Sequence, residues 1–221
     1  MQIEPIAHYH CDFKEKFGIP RQSGIIPDIK GTIVFEPQFR NPEYLRGLDG
    51  FDYLWLIWGF SGNRHPSSGS TVRPPRLGGN RRIGVFASRS PYRPTPLGLS
   101  SVKLEFIERT TATGNVLHVK GGDLLDNTPI YDIKPYLEFT DSHTQIRNGY
   151  VDTVEWELLE VRFSEKAYEK YDEEKRNEIA RILEQDPCPH YQETPGKVYK
   201  MRFGEQEIHF TISGKECNII E

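Results

Sequence analysis

The chain lacks several features that would assign it to a class at once. Its longest apolar run, Tyr53–Phe60, is far shorter than the roughly 20 residues that a transmembrane helix needs. The first residues show no basic start followed by an apolar stretch, so no secretory signal is predicted. Only three cysteines occur, widely spaced and without a CxxC pair, which is typical of free thiols in a reducing compartment. We therefore expect a soluble protein of the cytoplasm.

Acidic side chains are absent from one long interval. No Asp or Glu occurs between Asp52 and Glu105, although the whole chain carries a formal net charge of −4. The interval holds seven arginines and one lysine, a charge of +8, so the rest of the chain carries −12. Solubility does not require such a separation, and it favours a polyanionic ligand. The alternative is that carboxylates from elsewhere fold back and neutralise these arginines.

Most of these arginines lie in the irregular stretch TVRPPRLGGNRRIGVFASRSPYRPTPLG, residues 71–98. Its prolines stiffen the backbone, and its glycines allow close approach to a ligand. Arginine, more than lysine, makes bidentate contacts with phosphates or carboxylates and stacks on bases. Stiff loops carrying arginine suit a structured RNA, whereas the alternative is that they brace an interface.

The first two-thirds of the sequence is β-rich. Segments rich in β-branched and aromatic residues predict strands at 31–37, 51–60, 82–89, 99–110, 115–125 and 129–139. In the fourth segment, the alternation of apolar and polar residues breaks at Ile107. Short strands separated by Gly and Pro favour a barrel or a sandwich. The glycines of RLGGNRRIG follow no strand, so a dinucleotide fold is not predicted.

A polar stretch at 141–153 separates this region from a small α+β unit. The sequence predicts a strand over 154–163, one helix that Ser164 caps and DPCP ends, and a hairpin around Gly204-Glu205. We therefore expect two domains, 1–145 and 146–221.

The run GGDLLDNTPIYDIKPY, residues 121–136, carries three aspartates. Asp132 and Lys134 would point to the same face of a strand and could simply pair. Asp126 precedes an asparagine, which indicates either an Asx-turn or a carboxylate that grips a ribose hydroxyl or a ligand cation. His8 and His10 would share a strand face, but no third ligand converges on them, so no metal site is predicted.

Together these pieces resemble the TsaA/YaeB-like β-barrel family of TrmO-type tRNA methyltransferases. The resemblance is carried, in order, by YHCDFKEKFGIPRQSG, LRGLDGFDYLWLIWGF, residues 71–100, DLLDNTPIYDIKPY and EQDPCPHY. It implies a mainly β fold, with a single-sheeted N-terminal barrel and a small α+β C-terminal domain, that works as a homodimer. It also implies an enzyme that uses S-adenosylmethionine to methylate N6 of N6-threonylcarbamoyladenosine at position 37 of threonine-type tRNA, with no metal and no membrane partner.

The same resemblance assigns roles to individual residues. It implies donor contacts from Arg21, Gln22, Ser23, Gly24, Ser61, Gly62, Arg89, Leu99, Asp123, Leu124, Leu125 and Asp126. It leaves Arg73, Arg76, Arg81, Arg82 and Arg93 for phosphates of the anticodon stem-loop. We predict Asp126 as a proton acceptor, with Asp132 as a second candidate, and Lys134 as the group that polarises the carbamoyl oxygen.

The chain departs from the family pattern in two places. Relatives carry larger polar residues where this chain has Ser61-Gly62, and an arginine where it has Cys188. Three other functions remain open at this point: a non-catalytic RNA-binding barrel, a methyltransferase of another substrate, and a structural dimerisation barrel.

Overall fold

The predicted mainly β class is confirmed by the computed structural model, which describes residues 2–63, 69–74, 77, 81–154, 157–188 and 196–221. The strands are β1 (Ala7–His10), β2 (Lys30–Phe35), β3 (Tyr53–Gly59), β4 (Thr71–Val72), β5 (Ile83–Gly84), β6 (Leu97–Thr110), β7 (Gly114–Lys120), β8 (Thr128–Pro135), β9 (Glu160–Phe163), β10 (Val198–Phe203), β11 (Gln206–Ser213) and β12 (Glu216–Ile219). The α-helices are α1 (Glu138–Asp141), α2 (Glu165–Lys170) and α3 (Glu173–Glu184). Short 3-10 helices span Pro37–Phe39, Pro42–Leu45, Leu48–Gly50, Val85–Ala87 and Gly149–Thr153.

Six strands close into a barrel in the order β1-β2-β7-β6-β3-β8, and all neighbouring strands are antiparallel. In β3, Leu54, Leu56 and Trp58 point into the barrel, whereas Tyr53 and Trp55 lie on its outer face. Alternation with a period of two therefore fills the interior with apolar side chains.

The break in the β6 pattern marks a bulge. The register with β7 shifts between Leu104 and Phe106, so that Leu104 pairs with Val119 and Phe106 with His118. An extra residue reverses the alternation. Phe106 consequently stays 54 % exposed, while Ile107 packs against the barrel core.

The strand predicted over 82–89 is wrong for most of its length. Only Ile83–Gly84 pairs with another strand, Thr71–Val72, and a 3-10 turn over Val85–Ala87 follows. Val85 is buried, but Phe86 next to it is 80 % exposed, and Ser88 donates through Oγ to the Val85 carbonyl at 2.8 Å. Apolar content alone was therefore not enough to predict a strand over the whole segment.

The C-terminal unit has a four-stranded sheet in the order β10-β11-β12-β9, with α2 and α3 packed on it. The hairpin is confirmed, with Gly204 at φ 59° in its turn. Ser164 caps α2 as predicted, accepting from the Ala167 N–H at 3.2 Å. A single helix is wrong, because Tyr171 is extended and buried, and Asp172 then caps α3.

The chain between β1 and β2 joins the two units. Phe13, Ile26 and Ile29 belong to the C-terminal core, although they precede most of the barrel in sequence. In the same segment, Arg21 donates through Nη2 to the carbonyl of Asp186 at 2.8 Å. The predicted boundary near residue 146 stays a prediction. Among the described residues, no helix has the length and apolar character needed to cross a membrane.

Candidate functional site

A cavity of about 480 Å³ opens where the barrel meets three loops. Its volume falls within the range typical of small-ligand pockets. Its walls come from the segment after β1, the end of β3, the loop before β6 and the segment after β7. The described residues lining it are Lys16, Ile19, Pro20, Arg21, Gln22, Trp55, Trp58, Phe60, Ser61, Gly62, Asn63, Ser88, Arg89, Pro91, Arg93, Leu97, Gly98, Leu99, Asp123, Leu125 and Thr128.

An aromatic pair forms the apolar part of the cavity. The rings of Trp58 and Phe60 meet at 4.4 Å in an edge-to-face arrangement. Gly98 pairs with Trp58 across β3 and β6 and leaves room for the indole, since a Cβ at position 98 would lie 2.3 Å from Trp58 Cε2. Leu99 and Leu125 add aliphatic surface. Flat rings flanked by leucines suit a purine.

Asp123 is the only acidic side chain lining the cavity among the residues that the structure describes. Burial raises the pKa of its carboxyl above the usual value. The Ser100 hydroxyl, which donates to Oδ1 at 2.5 Å, opposes that shift, as do the backbone N–H groups of Ser23 and Asp123 and the charge of Arg89. This carboxylate can accept hydrogen bonds from hydroxyl or amino groups of a ligand.

Four cations share the lining of the cavity with this one carboxylate. Arg89 donates through Nη1 to Gln22 Oε1 at 2.5 Å, and Arg93 donates through Nη1 to the Ser88 carbonyl at 3.1 Å. Lys16 and Arg21 complete the set. The surplus of positive charge favours a ligand, or a pair of ligands, that carries carboxylate or phosphate groups.

Lys16 is a cavity residue that the sequence motifs did not indicate. It donates through Nζ to Asn63 Oδ1 at 2.5 Å. A Cβ at Gly62 would lie 2.7 Å from Lys16 Cε, so the lysine stem occupies the space that a side chain at position 62 would take. Because residues 61 and 62 are small, the Lys16 side chain from the segment after β1 can reach the cavity.

The central arginines are not neutralised by the chain's own acids within its described part. Arg73, Arg81, Arg82 and Arg89 are exposed, and neither these nor Arg93 forms an ion pair with a carboxylate of a described residue. Arg82 donates instead to Thr71 Oγ1 at 3.0 Å. Arg76, predicted to contact RNA, lies outside the described residues. These guanidinium groups are therefore available to an anionic ligand, and those of Arg89 and Arg93 lie at the cavity.

The structure brings together many of the residues predicted to bind the donor. Those that line the cavity are Arg21, Gln22, Ser61, Gly62, Arg89, Leu99, Asp123 and Leu125. Ser23 and Gly24 instead support the loop: Ser23 Oγ accepts from the Ser101 N–H at 3.2 Å, and Gly24 donates to the Gly121 carbonyl at 2.8 Å. Leu124 is fully buried in the barrel core.

Asp126 and Lys134, the predicted catalytic pair, do not line this cavity. Asp126 accepts from the Cys11 N–H at 3.0 Å and from Lys14 Nζ at 2.8 Å. Burial raises the pKa of Asp126, but these contacts outweigh burial and leave it below the usual value. Lys134 Nζ lies 2.9 Å from Asp132 Oδ2 on the outer face of β8, the pairing that their spacing allows. The catalytic roles of both residues stay predictions.

Several lining residues were missed, and some left a signal in the sequence. Trp58 and Phe60 stand in the apolar run that predicted β3, but periodicity cannot distinguish a ring that fills a core from one that lines a pocket. Ser100 followed a strand pattern and gave no sign that it would touch Asp123, because their contact joins distant parts of the chain.

Fold and site together define a small β-barrel protein with a nucleoside-sized pocket beside an arginine-rich surface. The family model for the tRNA-methyltransferase O N-terminal domain matches residues 8–142, and that for the TrmO C-terminal domain matches residues 156–221. The chain therefore belongs to the TrmO family.

Individual relatives agree with this assignment. The chain is 34 % identical over 220 residues to the Escherichia coli protein named tRNA (adenine(37)-N6)-methyltransferase, covering 96 % of this chain and 93 % of that one. It is 37 % identical over 215 residues to a Pseudomonas aeruginosa protein named "Putative S-adenosylmethionine-dependent methyltransferase RcsF", covering 94 % and 91 %. The crystal structure of TrmO from Pseudomonas aeruginosa superposes with a TM-score of 0.78 at 31 % identity, covering 100 % of this chain and 97 % of that one.

Proposed function

We propose that this chain is an S-adenosylmethionine-dependent tRNA (adenine-N6)-methyltransferase that acts on N6-threonylcarbamoyladenosine at position 37 of threonine-type tRNA. The observation that carries the proposal is a nucleoside-sized cavity, lined by one buried carboxylate and four cations, in a TrmO-family chain. The names of the Escherichia coli and Pseudomonas aeruginosa relatives support both the tRNA substrate and the methyl donor.

The cavity residues fit the chemistry of the donor. Asp123 offers acceptor oxygens for ribose hydroxyls, and the Trp58–Phe60 pair with Leu99 offers a surface for adenine. Arg89 can meet the donor's carboxylate. When bound, S-adenosylmethionine supplies a methyl group already activated by a sulfonium leaving group, so alignment of the two substrates accounts for much of the acceleration, on the order of 7–11 kcal/mol.

The remaining cations suit the RNA substrate. Arg73, Arg81 and Arg82 are exposed and therefore available for phosphates. The threonylcarbamoyl group carries a carboxylate of its own, which Lys16 or Arg93 can neutralise at the cavity. A modified adenosine therefore agrees with the charge surplus better than an unmodified one does.

The acceptor nitrogen lies between a purine ring and a carbonyl and is weakly nucleophilic, so a group that takes its proton would help. Asp126 is our candidate for that acceptor, with Asp132 as a second candidate, and Lys134 is our candidate for the group that polarises the carbamoyl oxygen. Single-turnover methyl transfer by Asp126→Asn and Lys134→Ala, each saturated with donor, tests them. Wild-type rates in both variants would remove this part of the proposal.

A homodimer in the cytoplasm is part of the same proposal. Large apolar side chains lie exposed, among them Leu99 at the cavity, which is 56 % exposed, and Phe139, which is 87 % exposed. Phe139 belongs to α1, which is tied to the outer barrel face because Trp55 donates through Nε1 to Asp141 Oδ2 at 2.9 Å. Light scattering of the purified protein would give twice the chain mass.

The decisive experiment incubates the purified protein with labelled S-adenosylmethionine and tRNA. We expect label in N6-threonylcarbamoyladenosine at position 37, and none in tRNA from cells that cannot make this nucleoside. Label in the unmodified tRNA would refute the substrate while leaving the enzyme class intact. No binding of S-adenosylmethionine by calorimetry would favour a non-catalytic RNA-binding barrel.

A further inference from the structure

A buried chain of two hydrogen bonds runs from the cavity wall to its carboxylate. Trp58 Nε1 lies 2.9 Å from Ser100 Oγ, and Ser100 Oγ lies 2.5 Å from Asp123 Oδ1. An indole N–H can only donate, so Ser100 Oγ is the acceptor in the first bond. A serine hydroxyl has a single proton, and that proton is then directed at Asp123. The order of donors fixes Asp123 Oδ1 as an acceptor.

Strand pairing explains why these groups meet. Trp58 on β3 lies opposite Gly98 on β6, and Ser100 comes two residues later on the same inward face. The missing side chain at position 98 lets the indole lie across β6 and reach the serine. Ser100 is 1 % exposed, and Trp58 is also buried, so water does not compete for either bond.

Other polar groups also act on Asp123, from each element packed around it. Arg89 and the Ser23 N–H favour its charged form. The Tyr9 hydroxyl of β1 interacts with it electrostatically and has no hydrogen-bond partner within the described part of the chain. Burial and the neighbouring charges of Cys11 and Asp123 raise the pKa of Tyr9, so its hydroxyl stays neutral. Ser100 donates to the carboxylate at 2.5 Å, and among these groups its hydrogen bond has the largest effect in favour of the charged form.

We propose that Ser100, held by Trp58, is a positioning residue for methyl-donor binding: it gives its only proton to Asp123 Oδ1 and so keeps Asp123 an acceptor toward the cavity. The proposal rests on the proposed function, because it assigns the ligand of Asp123 to the hydroxyl groups of the donor. Removing the hydroxyl leaves a buried carboxylate with one donor fewer, which becomes protonated at higher pH and then loses its role as a pure acceptor.

The test compares the wild type with Ser100→Ala, Ser100→Cys and Asp123→Asn. Ser100→Cys leaves no cavity at the site but is a weak donor, so together with Ser100→Ala it separates loss of the hydrogen bond from a packing defect. Calorimetry with S-adenosylhomocysteine at pH 6, 7 and 8 gives the affinity. Carbon NMR of labelled aspartate carboxyls, with Asp123 assigned from Asp123→Asn, gives its titration without any ligand.

We expect Ser100→Ala and Ser100→Cys to raise the titration midpoint of Asp123 and to weaken binding about 10-fold at pH 6, with a smaller loss at pH 8. Asp123→Asn should bind weakly at every pH, because an amide does not titrate. An unchanged midpoint, or an equal loss of affinity at all three pH values, would overturn the role of Ser100. If the wild type binds no S-adenosylhomocysteine, the proposed function fails, while the NMR titration still decides whether Ser100 controls Asp123.

Discussion

Replacing Gly98 with alanine should displace the indole that forms part of the cavity wall. The new Cβ would lie 2.3, 2.4 and 2.7 Å from Trp58 Cε2, Cζ2 and Cδ2. Carbon atoms pack at roughly 3.5 Å or more, so the ring would have to retreat by about 1 Å. The ring would have to give up its contact with Phe60 and its hydrogen bond to Ser100, and the free space open to it is the cavity itself.

The free energy of unfolding should fall by about 2–4 kcal/mol. Overpacking costs about 1–3 kcal/mol, and the Trp58–Ser100 hydrogen bond adds about 1 kcal/mol if it breaks. For a chain of this size, Tm should fall by roughly 5–15 °C. Calorimetric unfolding measures it, and donor affinity should weaken in parallel because the cavity wall moves.

Gly84→Ala is the matched control. Gly84 has φ −59°, and nothing lies within 4 Å of a Cβ placed there. Alanine fits this backbone, so the control should keep the wild-type stability or gain up to about 1 kcal/mol. Equal Tm values for Gly98→Ala and Gly84→Ala would refute the packing argument.

Three further outcomes are expected. Burial raises the pKa of Asp123 in the folded state, so the stability from this group is present at low pH and lost as pH rises through the folded-state pKa. Asp123→Asn should therefore unfold at a higher Tm than the wild type at pH 8, and the difference in Tm should close near pH 4. A lower Tm for the variant at pH 8 would contradict this. Asp186 has φ 46°, in the left-handed region. Asp186→Val should therefore be about 1–2 kcal/mol less stable than Asp186→Gly in urea titrations, because both variants lose the carboxylate but only valine strains the backbone. Equal midpoints would contradict this. Replacing Arg81 and Arg82 with glutamine should lower the salt slope of tRNA affinity by roughly 0.7–0.9 for each arginine that contacts a phosphate, whereas an unchanged slope in filter binding would remove them from the RNA surface.

Local patterns in the sequence were sufficient to predict most barrel strands and the hairpin. Aromatic and β-branched content predicted β3, and alternation supported β6, where its break at Ile107 marks the bulge that the structure contains. The helix after Ser164 was predicted as one element because periodicity does not reveal a buried residue such as Tyr171, whose burial against the sheet requires an extended backbone. Tertiary packing therefore determines where α2 ends and α3 begins.

The site could be predicted only where a motif carried it. Arg21, Gln22, Arg89 and Asp123 were found because the resemblance covers their segments. Lys16 lies in one of the same segments but was given no role, because its place in the cavity depends on the empty space above Gly62 in a distant loop. Contacts between remote segments are set by the closed barrel, and no spacing along the chain encodes them.

The most direct test of the account is mass spectrometry of tRNA nucleosides from cells without this protein. The account predicts loss of N6-methyl-N6-threonylcarbamoyladenosine, accumulation of its unmethylated precursor, and restoration by the wild-type gene but not by one encoding Asp123→Asn. Unchanged levels of the methylated nucleoside in the deletion strain would contradict it.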